Sequence, residues 1–288
     1  MENNYIKLSD LYKVKGIGDK TIERIKEALL KKEKEEYISK YNSDLHLKPN
    51  DIYLGDCLEL MNGIKDKSID TILCDLPYGN TNCTWDTIIP LDKLWQQYKR
   101  IIKDNGAIVL FSSQPFTTRL INSNIEDFKY EWIWDKIKPN GHLVAKYRPM
   151  QRTESVIVFS KNRHNYYPIM IQRERPKKSK EYKRTEIMGG TKVGSSKVIN
   201  YKYPQNVLVF SNASQKDKLH PTQKPVNLLE YLIKTYTNEN DLVLDNCIGS
   251  GSTAVACINT NRQFIGIEKE DEYYEIAKNR VNNTINTY

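Results

Sequence analysis

The sequence predicts an α/β fold built on a mostly parallel sheet, with a small helical appendage in front of it. Three observations carry that prediction. From Asp51 onward, short apolar runs rich in β-branched residues alternate with helical segments. Runs such as Thr71-Ile72-Leu73-Cys74 lack polar alternation, which suits strands covered on both faces. The stretch from Asp241 to Ala256 reads as strand, tight glycine turn and helix.

At 288 residues the chain is long enough for one large α/β domain with additions. Hydrophobic residues make up 39% and charged residues 28%, which excludes a disordered chain. No apolar run approaches the ~18 residues of a membrane-spanning helix, so no membrane partner is expected. Met1 to Asp10 shows no basic region followed by an apolar stretch, so no signal peptide is expected. Cys57, Cys74, Cys83, Cys247 and Cys257 form no C-x-x-C pair, a pattern that suits a reducing cytoplasm.

Residues 1–47 form the first region. Leu11 to Ile25 holds a glycine turn, Gly16-Ile17-Gly18, leading into a helix. Thr21 to Tyr41 continues helically, with Ile22, Ile25, Leu29 and Leu30 on one apolar face. The turn resembles a helix-hairpin-helix, whose N-terminal amides can hold a DNA phosphate without reading bases. Lys15, Gly16, Gly18 and Lys20 would form that contact, although such motifs also serve protein packing. Lys48-Pro49-Asn50 is a linker, because Pro49 breaks the helix.

Residues 48–288 form the second region. Strands are expected near Ile69–Cys74, Ala107–Phe111, Glu131–Trp134, Ser155–Phe159, Val207–Phe210, Leu242–Asp245 and Gln263–Ile267, seven in all. Helices are expected near Leu91–Ile102, Pro115–Asn122, Pro225–Tyr236, Ser252–Asn259 and Asp271–Asn282. Residues 161–205 interrupt this rhythm. Lys161 to Lys202 holds 12 basic and three acidic residues, so this one segment carries the chain's whole net charge of +8. Tyrosines interleave with Arg173, Arg175, Lys177, Lys178, Lys183 and Arg184, which suits nucleic acid as well as a solvated loop. Gly189-Gly190 and Gly194-Ser195-Ser196 suggest mobility.

Two segments carry chemistry. In the first, Gly249 and Gly251 let the backbone turn and approach a ligand, and Glu268 ends the next strand about 20 residues after the turn begins. Such an acid hydrogen-bonds ribose hydroxyls, so a nucleoside-containing cofactor is expected. Asp245 beside the loop would repel a pyrophosphate and suit a sulfonium, which favours S-adenosylmethionine. The second segment, Asp75-Leu76-Pro77-Tyr78, comes directly after a strand. An exocyclic base amine is a poor nucleophile, because its lone pair is delocalised into the ring. Asp75 and the backbone carbonyl of Leu76 could hold its two N–H protons and expose the lone pair. Pro77 fixes the turn and Tyr78 can stack on the base. A target atom inside a duplex would have to be flipped out first.

Together these residues resemble the amino-group DNA methyltransferases of the permuted type, in which the catalytic tetrapeptide precedes the target-recognition region and the S-adenosylmethionine loop comes last. The resemblance runs from Asp51 to the C-terminus. It implies a Rossmann-like methyltransferase fold and assigns Asp75, Leu76, Pro77 and Tyr78 to catalysis. Asp56 of Leu54-Gly-Asp-Cys57 is implied to reach the cofactor's adenine, with Cys57 beside it. His220, Thr222 and Lys224 of His220-Pro-Thr-Gln-Lys-Pro225 are implied at its methionine end, Lys224 facing the carboxylate. Asp245, Gly249, Ser250, Gly251, Ser252, Thr253 and Glu268 complete the cofactor site, with Cys247 in place of a usual Phe. Lys146-Tyr-Arg148-Pro and Glu154-Ser-Val-Ile-Val-Phe resemble later motifs bordering the target pocket, and Lys146 and Arg148 are assigned to DNA.

The implied substrate is double-stranded DNA. An Asp heading the tetrapeptide leans toward adenine N6, with cytosine N4 open. RNA methylation and a regulator without catalysis are the weaker alternatives. Cytosine C5 chemistry needs a nucleophilic cysteine, preceded by Pro in that family, and no Pro-Cys occurs. No metal is expected, since His46, His142, His164 and His220 have no ligand spacing. A homodimer and a companion restriction endonuclease are left open.

Overall fold

The computed structural model describes residues 20–21, 24, 46–79, 87–178, 198–212 and 223–286. The chain divides after His46 into two units. Of the first, Lys20, Thr21 and Arg24 are helical and exposed. Lys15, Gly16, Gly18 and most of the expected helix lie outside the described residues, as do His220, Thr222, Lys183, Arg184 and the glycines near 190.

The second unit is an eight-stranded sheet with helices packed on it. In chain order it runs β1 (Asp51–Leu54), α1 (Cys57–Leu60), β2 (Ile69–Asp75), α2 (Leu91–Ile101), β3 (Ile102–Ser112), α3 (Phe116–Asn122), β4 (Phe128–Asn140) and β5 (Gln151–Phe159). The small strands β6 (Ile171–Lys178) and β7 (Val198–Lys202) come next. The chain then returns through β8 (Val207–Val209), α4 (Val226–Tyr236), β9 (Leu242–Asp245), α5 (Ser252–Asn259), β10 (Gln263–Glu268) and α6 (Asp271–Ile285). The sheet order is β1-β10-β9-β2-β3-β5-β4-β8. Its pairs are parallel except β3 with β5 and β5 with β4.

The sheet has one strand more than the seven expected. The addition is β1, where Asp51 and Tyr53 interrupt the apolar pattern and only Ile52 is buried. It is an edge strand, held by pairing with β10 from Asp51↔Ile265 to Leu54↔Glu268. The central strands show why continuous apolar runs form here. All of Ile69 to Cys74 in β2 is buried, because helices cover both faces. Helix α2 buries Leu94, Trp95, Tyr98 and Ile101, a stripe at helical spacing. Helix α5 is buried from Ser252 to Cys257 between α4 and α6. Its N-cap residue Gly251 has φ +80°, and a Cβ there would lie 3.2 Å from Cα and Cβ of Ala277 in α6. That glycine is therefore required by the turn and the helix packing.

The flanks of the basic insertion, read as loop, pair as the antiparallel β6–β7 ribbon. Arg173 ties it by donating from Nε to the Tyr201 carbonyl at 3.2 Å. Among the described residues no helix is long and apolar enough to cross a membrane.

Candidate active site

Topology decides which residues meet. Strands β1, β10, β9 and β2 run parallel, so their carboxyl ends, at Leu54, Glu268, Asp245 and Asp75, lie along one edge. Ligands bind at such edges in open α/β sheets. Strand β5 runs antiparallel to β3, which brings its start to the same edge. The register sets Asp75 beside Phe111, Phe111 beside Val156, and Glu154 beside Trp134. A cavity of about 470 Å³ opens along this edge, lined at one end by Asp56, Gly249 and Glu268 and at the other by Asp75, Tyr78 and Glu154.

At the first end, a buried carboxylate is held by the loop it serves. Glu268 Oε2 accepts from the Gly249 N–H at 2.8 Å, and Oε1 accepts from the N–H groups of Lys269 and Glu270 at 2.9 and 3.0 Å. Burial pushes the Glu268 carboxyl up, against those three donors. Its remaining lone pairs are free in geometry to accept a sugar hydroxyl. Asp245 organises the turn. Its Oδ2 accepts from the Thr253 hydroxyl at 2.6 Å and its Oδ1 from the Cys247 N–H at 3.1 Å. Burial raises its pKa to about 6. Asp56 caps α1 by accepting from Leu58 N–H at 2.9 Å, and it lines the cavity beside Cys57. Ser250 donates to Gln223 Oε1 at 3.2 Å, and Ser252 Oγ accepts from Arg280 at 2.9 Å. Gly251 packs on α6, whereas Gly249 lines the cavity. Cys247 also lines it, where the resemblance has a Phe.

At the second end, four charged groups and a hydroxyl form one cluster. The Lys224 ammonium donates to Asp75 Oδ2 at 2.5 Å and lies 3.2 Å from Glu154 Oε1. Tyr78 Oη lies 2.6 Å from Asp75 Oδ1 and 2.9 Å from Glu154 Oε1. Lys136 approaches Glu154 Oε2 at 3.8 Å. Burial raises the Asp75 carboxyl, Lys224 opposes that rise, and Glu154 adds to it. Burial would depress the Lys224 ammonium, but Asp75 and Glu154 outweigh it and lift its pKa to about 12. Burial lowers that of Lys136. The rings of Phe111 and Trp134 wall the cluster, with Lys224 Nζ 5.0 and 6.0 Å from their centroids. Phe116 stacks on one face of Tyr78, ring centroids 5.3 Å apart. Leu76 is buried beneath, and Pro77 lines the cavity.

Most of the sequence-derived residues that are described thus share one cavity. Lys224 sits there with its ammonium held by Asp75 and Glu154, whereas the resemblance implies it at the cofactor's carboxylate. Lys136, Phe111 and Trp134 were not singled out from sequence. Period-two burial of Trp132, Trp134 and Lys136 in β4 was the available signal, because it puts a lysine on a tryptophan face. The DNA-assigned residues lie elsewhere. Lys146, Arg148, Arg175, Lys177 and Lys178 are exposed, and Arg173 is half-buried in the ribbon. Between Gly141 and Arg148, Leu143 and Tyr147 are exposed as well. Among the described residues, no group of three or more His, Cys, Asp or Glu could hold a metal ion.

Residues 69–279 match the N6_N4_Mtase family model, described as DNA methylase. The Type II methyltransferase M2.LlaDCHI of Lactococcus lactis subsp. cremoris is 30% identical over 257 residues, covering 79% of this chain and 87% of that protein. The Type II methyltransferase M.HpaI of Haemophilus parainfluenzae is 27% identical over 250 residues, covering 81% and 74%. The M1.HpyAVI–SAM complex superposes with a TM-score of 0.55 at 28% identity, covering 80% of this chain and 98% of that one. The cytosine-N4-specific PvuII DNA methyltransferase, 18% identical, shares the fold with a TM-score of 0.58 over 84% and 93%.

Proposed function

The chain belongs to the DNA methylase family, and on that premise we propose that it methylates adenine N6, in a flipped-out base of a specific duplex sequence. The family's reaction is methyl transfer to a base amino group, from S-adenosylmethionine. When bound, that cofactor supplies a sulfonium-activated methyl group. The donor set at the first end fits it. Glu268 is a preorganised acceptor for ribose hydroxyls, Asp56 an acceptor for the adenine amino group, and Asp245 a buried anion suited to a cationic ligand. Lys269, Glu270 and Gly249 keep the Glu268 carboxylate aimed, so little ordering is needed on binding.

The observation that carries the reading is Asp75 at the far end of the same cavity, a carboxylate held by Lys224 and Tyr78. It can accept an N–H of the target amine, favour pyramidal nitrogen and receive the proton released after transfer. The Tyr78 ring, backed by Phe116, is suited to stack on the base. Asp at the head of the tetrapeptide supports adenine by family resemblance. The Type II relatives support a restriction–modification setting. The basic insertion and the Lys146–Arg148 stretch would bind the backbone, and the N-terminal glycine turn would add phosphate contacts.

The test is a transfer assay with labelled S-adenosylmethionine and unmethylated genomic duplex DNA, digested to nucleosides and resolved by mass. N6-methyladenine that vanishes in Asp75→Ala is expected. N4-methylcytosine would keep the mechanism and overturn the base. Product on RNA alone would overturn the substrate.

A further inference from the structure

We propose that Leu143 and Tyr147 form a wedge that enters the DNA base stack and fills the space left by the flipped target base. The inference rests on the flipped-base reading above and goes beyond it, because that reading gives the Lys146–Arg148 stretch backbone contacts alone.

Leu143 and Tyr147 are 94% and 88% exposed, more than any other large hydrophobic side chain among the described residues. A single exposed leucine needs no explanation. Here two such side chains stand four residues apart on one short helical segment. The N–H groups of Val144 and Ala145 donate to the carbonyls of Gly141 and His142 at 3.1 and 3.3 Å. Those of Tyr147 and Arg148 both donate to the Val144 carbonyl, at 2.9 and 3.1 Å. Gly141, with φ +96°, opens the segment. Val144 alone among residues 141–150 is half-buried, so the segment rests on Val144 and turns Leu143 and Tyr147 outward.

The segment stands at the mouth of the catalytic cavity. It joins β4 to β5, and the pair Asn140↔Gln151 closes its neck. Asn140 itself lines the cavity, as do Lys136 of β4 and Glu154 of β5. Arg152 ties the neck with two hydrogen bonds of 2.7 Å to the Asp135 carboxylate. From Lys136 to Thr153 the chain has no Asp or Glu, and Lys138, Lys146 and Arg148 are exposed. An apolar tip set among cations matches duplex DNA, whose base stack lies between rows of phosphates, and does not match an apolar protein surface.

A base that leaves the stack gives up its pairing and stacking, and it leaves a gap behind. An apolar side chain in that gap keeps water out and restores contact with the neighbouring bases. Leu143 supplies the apolar bulk, and the Tyr147 ring offers a face on which the orphaned or adjoining base can stack. Lys138, Lys146 and Arg148 hold the phosphates on either side. The tied neck presents the wedge preformed, so little ordering opposes its entry. The wedge touches no reacting atom. It acts by raising the fraction of complexes whose target base lies in the cavity beside Asp75.

The experiment compares two duplexes on the full-length protein. The methylated position is first mapped by sequencing. One duplex is fully paired there, and the other has an abasic site opposite the target base, so that flipping costs little. Single-turnover methyl transfer is measured for the wild type and for Leu143→Ala/Tyr147→Ala. The variant should be at least 30-fold slower than wild type on the paired duplex and within about threefold of it on the abasic-opposed one. Leu143→Met/Tyr147→Phe, which keeps the apolar bulk, should restore the paired-duplex rate. An unchanged Kd for S-adenosylmethionine checks that the fold is intact. Any effect of the abasic site on recognition cancels, because both proteins meet the same duplexes. A defect that shrinks less than fivefold on the abasic-opposed duplex, or no defect at all, would overturn the wedge. That is the pattern expected of a merely structural segment, or of a patch that meets another protein. No methyl transfer by the wild type on either duplex would instead fail the underlying reading, and the wedge with it.

Discussion

Replacing Lys224 with Met removes the cation that bridges Asp75 and Glu154. At an effective dielectric of ~20, contacts near those observed are worth roughly 5–7 kcal/mol each before desolvation is counted. Desolvation offsets much of that. If half survives, about 3 kcal/mol of preference for the ionised carboxylates is lost, equivalent to about two pH units. The direction is set by the chemistry. Without Lys224 the pair holds a proton to higher pH, and a protonated carboxyl no longer accepts from the amine. The acid limb of kcat should move up by about two pH units, so the loss approaches 100-fold below the wild-type limb and recovers as pH rises past the variant's. The protein should stay folded, because a protonated pair can hydrogen-bond to itself, and a thermal melt checks this. Single-turnover methyl transfer across pH 5 to 9 is the assay. A variant with the wild-type rate and pH profile would refute the electrostatic role. A weakened cofactor Kd with an unchanged profile would instead return Lys224 to the cofactor's carboxylate, as the family resemblance implies.

The same geometry sets three further outcomes. The Asp245 pKa of about 6 lies above the ordinary carboxylate value, so its contribution to stability is full below about pH 4 and lost as pH rises through 6. Asp245→Asn should therefore gain about 3 kcal/mol relative to wild type between pH 4 and pH 8, or roughly 5–10 °C in melting midpoint; a pH-independent difference would contradict the burial argument. Glu268→Ala should weaken S-adenosylmethionine binding about 100-fold by calorimetry, since hydrogen bonds to a charged acceptor contribute ~1.5–3 kcal/mol each; a change within twofold would remove Glu268 from the cofactor site. Replacing Arg173, Arg175, Lys177 and Lys178 together with Ala should flatten the log–log salt dependence of DNA affinity by ~0.9 for each phosphate no longer neutralised; an unchanged slope would place the DNA elsewhere.

Local chemistry made much of this protein legible in its sequence. The strand, glycine turn and helix around Gly249, and the acid at Glu268, are dictated by backbone geometry and strand length. The tetrapeptide at Asp75 declares itself because a strand end and a proline together restrict the backbone at that point. Helix stripes such as Leu94, Trp95, Tyr98 and Ile101 reflect the helical repeat. Strand β1 was hidden because edge strands need no continuous apolar run, and its pairing with β10 joins residues more than 200 positions apart. The Asp75–Glu154–Lys224–Lys136 cluster was hidden for the same reason. Its members come from β2, β5, the approach to α4, and β4, and no spacing in the chain encodes their distances. Sequence determined which groups are present and which strands end in carboxylates. Strand order and direction decided which of those ends share an edge, and so brought Asp75, Glu154 and Lys224 together.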